Sequence, residues 1–275
     1  MGWNLNIPKI LHLYWGGSPM CYLRFMTIKT FMKHNPDWKI MLWYPKYPTT
    51  NVTWATGEQN SNFICKDFFP EVMELPIEKN AVDFTDYGFN NEMAEVHKSD
   101  FIRLQQLSTI GGVWSDMDIL YFKPMSDLYF NTDENSNIET VYCDNLYGHS
   151  IGFLMGSEGN KFFKELREIS KKTFNPHAYQ IIGAITYNAF FNTPESINRF
   201  GPALNMSMDV VYSHNCGDIP TIINGTEDKF TNQSIGLHWY AGDPAWAKFI
   251  TKTNGGLETL PDTIIGNLIN DANGK

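Results

Sequence analysis

A chain of 275 residues, 43% hydrophobic and 15% aromatic, is long enough to bury the core of a single α/β domain of the ordinary globular kind. Its net charge of −9, spread without long like-charge runs, excludes a nucleic acid polymer as the main ligand, because phosphate backbones are met by clustered Lys and Arg. No transmembrane segment of about 18 apolar residues is present, and Met1 to Lys9 carries no cationic stretch followed by an apolar run, so a cytoplasmic protein is expected.

Ile7 to Trp15 is an apolar run that stops at Gly16-Gly17, the pattern of a first strand ending in a glycine turn. Met20 to Met32 has helical spacing, Asn35-Pro36 breaks it, and Trp38 to Trp43 reads as a second strand. Strand, helix, strand favours a mixed, mostly parallel α/β sheet flanked by helices. Thr49 to Asp86 supports only short helices and loops. Asn91 to Ile110 is a helix stopped by Gly111-Gly112, and Val113 to Phe122 reads as one strand that carries two acids. Further elements are expected at Glu139 to Cys143, Ile151 to Met155, Lys161 to Ser170 and Ile181 to Phe191. No repeat, linker or change of composition marks a second domain. The expected layout is one domain, 1–275, with a ligand-binding half over about 1–125 and a second half with a C-terminal lid over about 126–275. Cys21, Cys65, Cys143 and Cys216 lie far apart and are read as free thiols.

In an extended strand Asp116 and Asp118 fall on one side and Met117 on the other. Two carboxylates so close are unfavourable unless one is protonated or a cation lies between them. A divalent cation is the economical answer, and it would also supply the positive charge that an acidic protein needs to bind an anion. The bland alternative is a pair of solvent-facing acids at a strand end. The position beyond a strand's carboxyl end favours a ligand site.

Asp100 and Arg103, read with Ser99 as opening the preceding helix, share one helical face. They either pair with each other, worth only ~0.2–1 kcal/mol on a surface, or face the cleft to meet hydroxyl and phosphate oxygens. Trp15 is either a core residue or a flat platform for a base. His12, an odd number of positions from Trp15, faces away and is read as structural. His238, with Trp239 and Trp246 in the segment Leu237 to Trp246, combines a metal-competent imidazole with indoles suited to sugar faces beside Gly242. That is the make-up of a lid.

Four ordered pieces, Ile7 to Gly17, Lys98 to Arg103, Gly111 to Asp118, and Leu237 to Trp239 with Trp246, resemble glycosyltransferase family 32. There is a more distant likeness to the glucosyltransferase domains of large clostridial toxins. The resemblance implies a GT-A fold, a Mn²⁺ or Mg²⁺ ion, and transfer of a hexose from a nucleotide-diphosphate sugar to a hydroxyl, usually with retention. UDP-glucose is the first donor to consider, through the toxin likeness. It also implies that Trp15 stacks on the base, that Asp100 and Arg103 hold ribose or donor sugar, that Asp116 and Asp118 serve ribose and metal, and that His238 is a third metal ligand. Trp239 and Trp246 would lie on the donor. The sequence departs from the family at Trp114-Ser115 and at Leu104-Gln105-Gln106, which bears on donor choice. Two rival classes are a metal-dependent phosphohydrolase with Asp-x-Asp after a strand and a non-catalytic carbohydrate-binding module built on the many aromatics.

Overall fold

The computed structural model describes residues 5–16, 19–49, 65–128, 137–145, 148–252 and 262–274. Strand β1 (Ile10–Tyr14) is followed by helix α1 (Tyr22–His34), β2 (Lys39–Pro45), α2 (Phe69–Glu74), β3 (Glu78–Val82) and α3 (Glu95–Thr109). Then come β4 (Gly112–Ser115), β5 (Ile119–Tyr121), β6 (Thr140–Asn145), β7 (Gly148–Gly156) and α4 (Lys161–Thr173). The remainder comprises α5 (Thr186–Phe190), α6 (Pro194–Asn198), β8 (Ala203–Asn205), α7 (Ile219–Asn224), β9 (Gly236–His238), α8 (Pro244–Lys252) and α9 (Ile264–Ala272).

Seven strands form one sheet in the order β3-β2-β1-β4-β7-β6-β8. The first four are parallel, β7 is antiparallel to both β4 and β6, and β8 rejoins β6 in parallel. The mixed, mostly parallel sheet is as the alternation of elements predicts. Both faces are buried, and the period of two sorts the side chains. Leu11, Leu13, Val113, Phe153 and Met155 pack against Ile28 and Phe31 of α1 on one face. Tyr14, Trp114 and Leu154 pack with Phe101 and Leu104 of α3 and Phe162 of α4 on the other.

The expected strand from Val113 to Phe122 is instead two short strands in different sheets. β4 ends at Ser115 and the chain turns at Met117-Asp118. It then resumes as β5, which pairs antiparallel with β9 in a separate two-stranded sheet. Buried threonines of α1 fix that turn: Thr27 Oγ1 donates to the Met117 carbonyl (3.0 Å), and Thr30 Oγ1 accepts the Tyr121 amide (3.0 Å). Strand β3 was not expected. Its sequence, Glu-Lys-Asn-Ala-Val, is an edge strand with only Val82 buried, so it carries no apolar run to read. Of the stretch Thr49 to Asp86, expected to hold only short helices and loops, residues 50–64 lie outside the described residues.

The sheet's strand order reverses between β1 and β4. β1 leads out through β2 to β3, and the chain then returns to the other side of β1 as β4. A crevice opens beyond the carboxyl ends of strands at such a switch. Trp15 and Asp116 are the residues that leave those two strands.

Candidate active site

The helix α3 begins at Glu95, so Asp100 and Arg103 lie in its second and third turns rather than at its start. They form no surface pair. Both are buried, Arg103 Nη1 lies 3.0 Å from Asp100 Oδ1, and Arg103 Nη2 donates to Asp116 Oδ1 at 2.9 Å. The indole N–H of Trp114 donates to the same oxygen (2.9 Å), and the guanidinium lies 4.9 Å from the centre of that indole. Trp114, noted as a departure from the family pattern, therefore holds both Asp116 and Arg103. The neighbouring departure, Ser115, is turned inward to accept from the Tyr121 hydroxyl (2.7 Å).

Burial pushes the Asp100 carboxyl up to about 6; Arg103 opposes the shift and Asp116 adds to it. Asp100 Oδ2 and Arg103 Nε are buried without a hydrogen-bond partner. A buried group left this way costs about 1–3 kcal/mol, which a hydroxyl-bearing ligand offsets.

Asp118 is anchored from the opposite direction. Its Oδ2 accepts the Ala241 amide (3.0 Å), its carbonyl accepts the Trp239 amide (2.9 Å), and its Oδ1 lies 3.2 Å from His238 Nε2. Burial disfavours the ionised carboxylate, but the charge and hydrogen bond of His238, with help from Arg24 and the Ala241 amide, hold Asp118 well below the usual range. Burial likewise lowers His238, and Asp118 more than offsets it, so that imidazole is raised. One ligand atom each from Asp116, Asp118 and His238 lies within 4.8 Å of the others, which brings the three predicted metal residues together. They converge through a turn and not through one extended strand.

The predicted indoles behave differently. Trp239 and Trp246 are fully buried, packed edge to face at 5.0 Å in a third apolar cluster with Leu237, Ile250 and Ile265. They are core pillars of the C-terminal segment and present no open face to the cleft, because β9 and α8 need an apolar seat of their own. Trp15 is also buried, and the Arg24 guanidinium lies 5.1 Å from its ring and 5.4 Å from Trp239. His12 is structural as expected. Its Nδ1 accepts from Trp43 (3.2 Å), which leaves Nε2–H to donate to the Gly111 carbonyl (2.8 Å), and burial lowers it to about 4, so it stays neutral.

A cleft of about 1010 Å³ contains Asp116, Asp118 and His238, with β7 and the segment 179–188 as one wall. Sequence reasoning missed several contributors. Gly152 is one: a Cβ there would meet Asp116 Oδ2 at 2.8 Å and the Tyr212 hydroxyl at 2.9 Å, so any larger residue on β7 would press on the motif. Gly183 stands in the same relation to Asp100 Oδ2, also at 2.8 Å. Ala241 contributes through its amide, which no side-chain pattern reveals. No disulfide joins Cys21, Cys65, Cys143 or Cys216 among the described residues, in line with the expected thiols.

Comparison with known proteins gives a family model for part of the chain and a likeness of fold. Residues 24–138 match the family model described as the glycosyltransferase sugar-binding region containing DXD motif. Among solved structures, the glycosyltransferase GlyE of Streptococcus pneumoniae TIGR4 superposes with a TM-score of 0.51 at 12% identity. The match covers 87% of this chain, which spans 56% of GlyE. The PaToxG glycosyltransferase gives 0.47 at 12% identity over 70% of this chain and 73% of its own. The galactosyltransferase LgtC, solved with donor and acceptor sugar analogues, gives 0.44 at 13% identity over 92% and 98%. GlyE carries the likeness of fold. None of the curated protein sequences compared with the chain matches it. No described helix is long and apolar enough to cross a membrane. The segment 24–138 thus resembles a glycosyltransferase sugar-binding region containing a DXD motif, and the fold around it is that of GT-A glycosyltransferases.

Proposed function

We propose that this protein is a divalent-metal-dependent hexosyltransferase that uses a nucleotide-diphosphate sugar, with UDP-glucose the first donor to test, and transfers with retention to a hydroxyl acceptor. The observation that carries the reading is the convergence of Asp116, Asp118 and His238 within 4.8 Å. Two carboxylates and an imidazole suit Mn²⁺ or Mg²⁺, the carboxylates favouring such hard ions. When bound, the ion neutralises the charge that the departing diphosphate develops.

The chain's own groups do the rest. Asp118 is kept ionised and fixed by the Ala241 amide, so it is ready to bind without reorganisation. Asp116, held by Trp114 and Arg103, is oriented before any ligand arrives. Asp100 and Arg103 retain unsatisfied buried atoms that suit the hydroxyls of the ribose or donor sugar. In the transfer, the acceptor oxygen bonds to the anomeric carbon as the carbon–oxygen bond to phosphate breaks. The bonding pair leaves with the nucleoside diphosphate, which takes the acceptor proton. Within this reading the first half serves the donor and the second half the acceptor.

The test is nucleoside-diphosphate release from UDP- and GDP-hexoses with Mn²⁺ and with EDTA, on the native chain and on Asp118→Ala. Release that needs metal and Asp118 is expected. Sugar binding that survives both EDTA and the substitution, with no donor turned over, would point to a binding module. Cleavage of p-nitrophenyl phosphate would point to a phosphohydrolase.

A further inference from the structure

Among the described residues four large apolar side chains are exposed: Tyr47, Tyr179, Ile185 and Phe190. Three of them fall within residues 179–190, and Tyr179 and Ile185 line the same cleft as Asp116. Scattered exposed apolar residues need no explanation, but Tyr179 and Ile185 together on one wall of the cleft that holds the acids do.

The wall is also tied down by hydrogen bonds. Gln180 adopts φ 55°, one of two positive-φ non-glycine residues among those described, and the other, Tyr240, lines the same cleft. Such backbone persists only where its surroundings enforce it, and it collects at ligand sites. The carbonyl of Ala178 lies 3.0 Å from the buried His97 Nε2, that of Gln180 accepts the amides of Gly183 (3.1 Å) and Ile185 (3.2 Å), and that of Ile182 accepts from Ser170 Oγ (2.8 Å). Tyr179 is thus an aromatic residue 49% exposed on a hydrogen-bonded turn. Burial and then the charges of Asp100 and Asp116 push its hydroxyl up, which places the ring within the field of the motif.

Charge narrows the occupant. The residues lining the cleft include Asp116, Asp118 and Asp243 but no Lys or Arg. Once the proposed metal ion is taken up by the donor's diphosphate, a phosphorylated or carboxylated acceptor would meet acids and no Lys or Arg among the cleft's described lining, so a neutral molecule fits best. The volume of about 1010 Å³ lies at the top of the range of about 300–1,000 Å³ for a single ligand, leaving room beside a donor.

We infer that the segment Tyr179–Ile185 is the acceptor wall and that the acceptor is a neutral carbohydrate whose apolar ring face stacks on Tyr179. The inference rests on the donor reading given above only for the reaction, not for the binding.

Two measurements test it. The first is transfer from the donor found in the release assay to neutral p-nitrophenyl hexosides and disaccharides, compared with glucuronate, glucose 6-phosphate and a Ser/Thr peptide. A neutral glycoside should be the best acceptor. Tyr179→Ala should raise its KM roughly 3- to 10-fold, the size of a lost stacking contact, with a much smaller change in donor KM. Tyr179→Trp should restore the native value. A charged sugar or the peptide as the best acceptor, or an acceptor KM that Tyr179→Ala leaves unmoved, overturns the inference. The second is saturation-transfer NMR of the same neutral glycosides with the native chain and Tyr179→Ala. It decides the wall even where no donor is turned over, because binding that depends on Tyr179 supports the wall and no binding, or binding indifferent to Tyr179, removes it. Failure of donor release alone strikes the transferase reading and not the wall.

Discussion

The two acids of the motif have one residue between them and belong to different parts of the molecule. The Asp116 side chain is held by Trp114 at the end of β4 and Arg103 of α3 and is 31% exposed, while its amide donates to the Gly152 carbonyl of β7 (2.7 Å). Asp118 is held from the C-terminal segment, by His238 and the amides of Trp239 and Ala241, and is 12% exposed. The half built on the parallel sheet offers a finished surface, and the segment from β9 to α8 closes it. A DXD motif is here less a strand with two acids than a seam between two packed bodies, with α1 pinning the turn.

The greatest cost to the fold should come from the C-terminal side of that seam. Trp246→Ala is expected to destabilise by about 3–5 kcal/mol, the range for a buried large aromatic, read as a loss of Tm. A near-native Tm with loss of donor binding would restore Trp246 as a donor contact. Next, Asp118→Ala should cut metal-dependent donor turnover by about 10²–10³-fold or more. It should also lower Tm more than Asp116→Ala does, because only Asp118 clasps the C-terminal segment; equal losses of Tm would dissolve the contrast.

Gly152→Val should lower turnover by about 10²-fold, as a displacement of the order of 1 Å in a reacting group does, since its side chain would press on Asp116 from β7. Unaltered turnover would mean that Asp116 has room to move. His238→Ala should weaken Mn²⁺ binding by about tenfold or more, as measured by titration, while leaving the contacts of Asp116 intact.

The last contrast concerns pH and Asp100. Its carboxyl, raised to about 6 from 3.8, binds a proton more tightly in the folded chain than in the unfolded one. That contribution to stability is complete below pH 3.8 and is lost as pH rises through 6. For metal-free protein the loss approaches about 3 kcal/mol at neutral pH, from about 1.36 kcal/mol per pH unit. Asp100→Asn should therefore flatten the fall in stability between pH 4 and 7 and keep or raise Tm at pH 7, while donor turnover drops. A stability profile identical to the native one would count against the raised value.

Much of the first half was legible in the sequence because its elements are long and buried on both faces. β1, α1, β2 and α3 announce themselves by apolar runs and glycine or proline stops. β3, β8 and β9 were not legible: the first is a polar edge strand, and the others are only three residues each. The break between β4 and β5 escaped notice because Ile119-Leu120 continues the apolar run of β4, and only tertiary pairing with β9 shows that the strand has changed sheets. In the site, the acids and Arg103 were singled out by residue type and spacing and His238 as a metal ligand by the family resemblance, and the structure brings them together. The tryptophans misled, since an indole suited to a sugar face is equally suited to a core. The contributions of Gly152, Gly183 and the Ala241 amide are shape and backbone, and they exist only once distant segments meet.

The clasp between Asp118 and the amides of Trp239 and Ala241 also bears on the order of events as the chain folds. It joins positions more than a hundred residues apart, and contacts of such separation form late because the intervening chain must first be organised. On a chain emerging from the ribosome, the parallel strands and the Asp116–Arg103 pair have partners well before residue 241 exists. The carboxylate of Asp118 does not. Metal competence should therefore appear abruptly, as the final act of maturation.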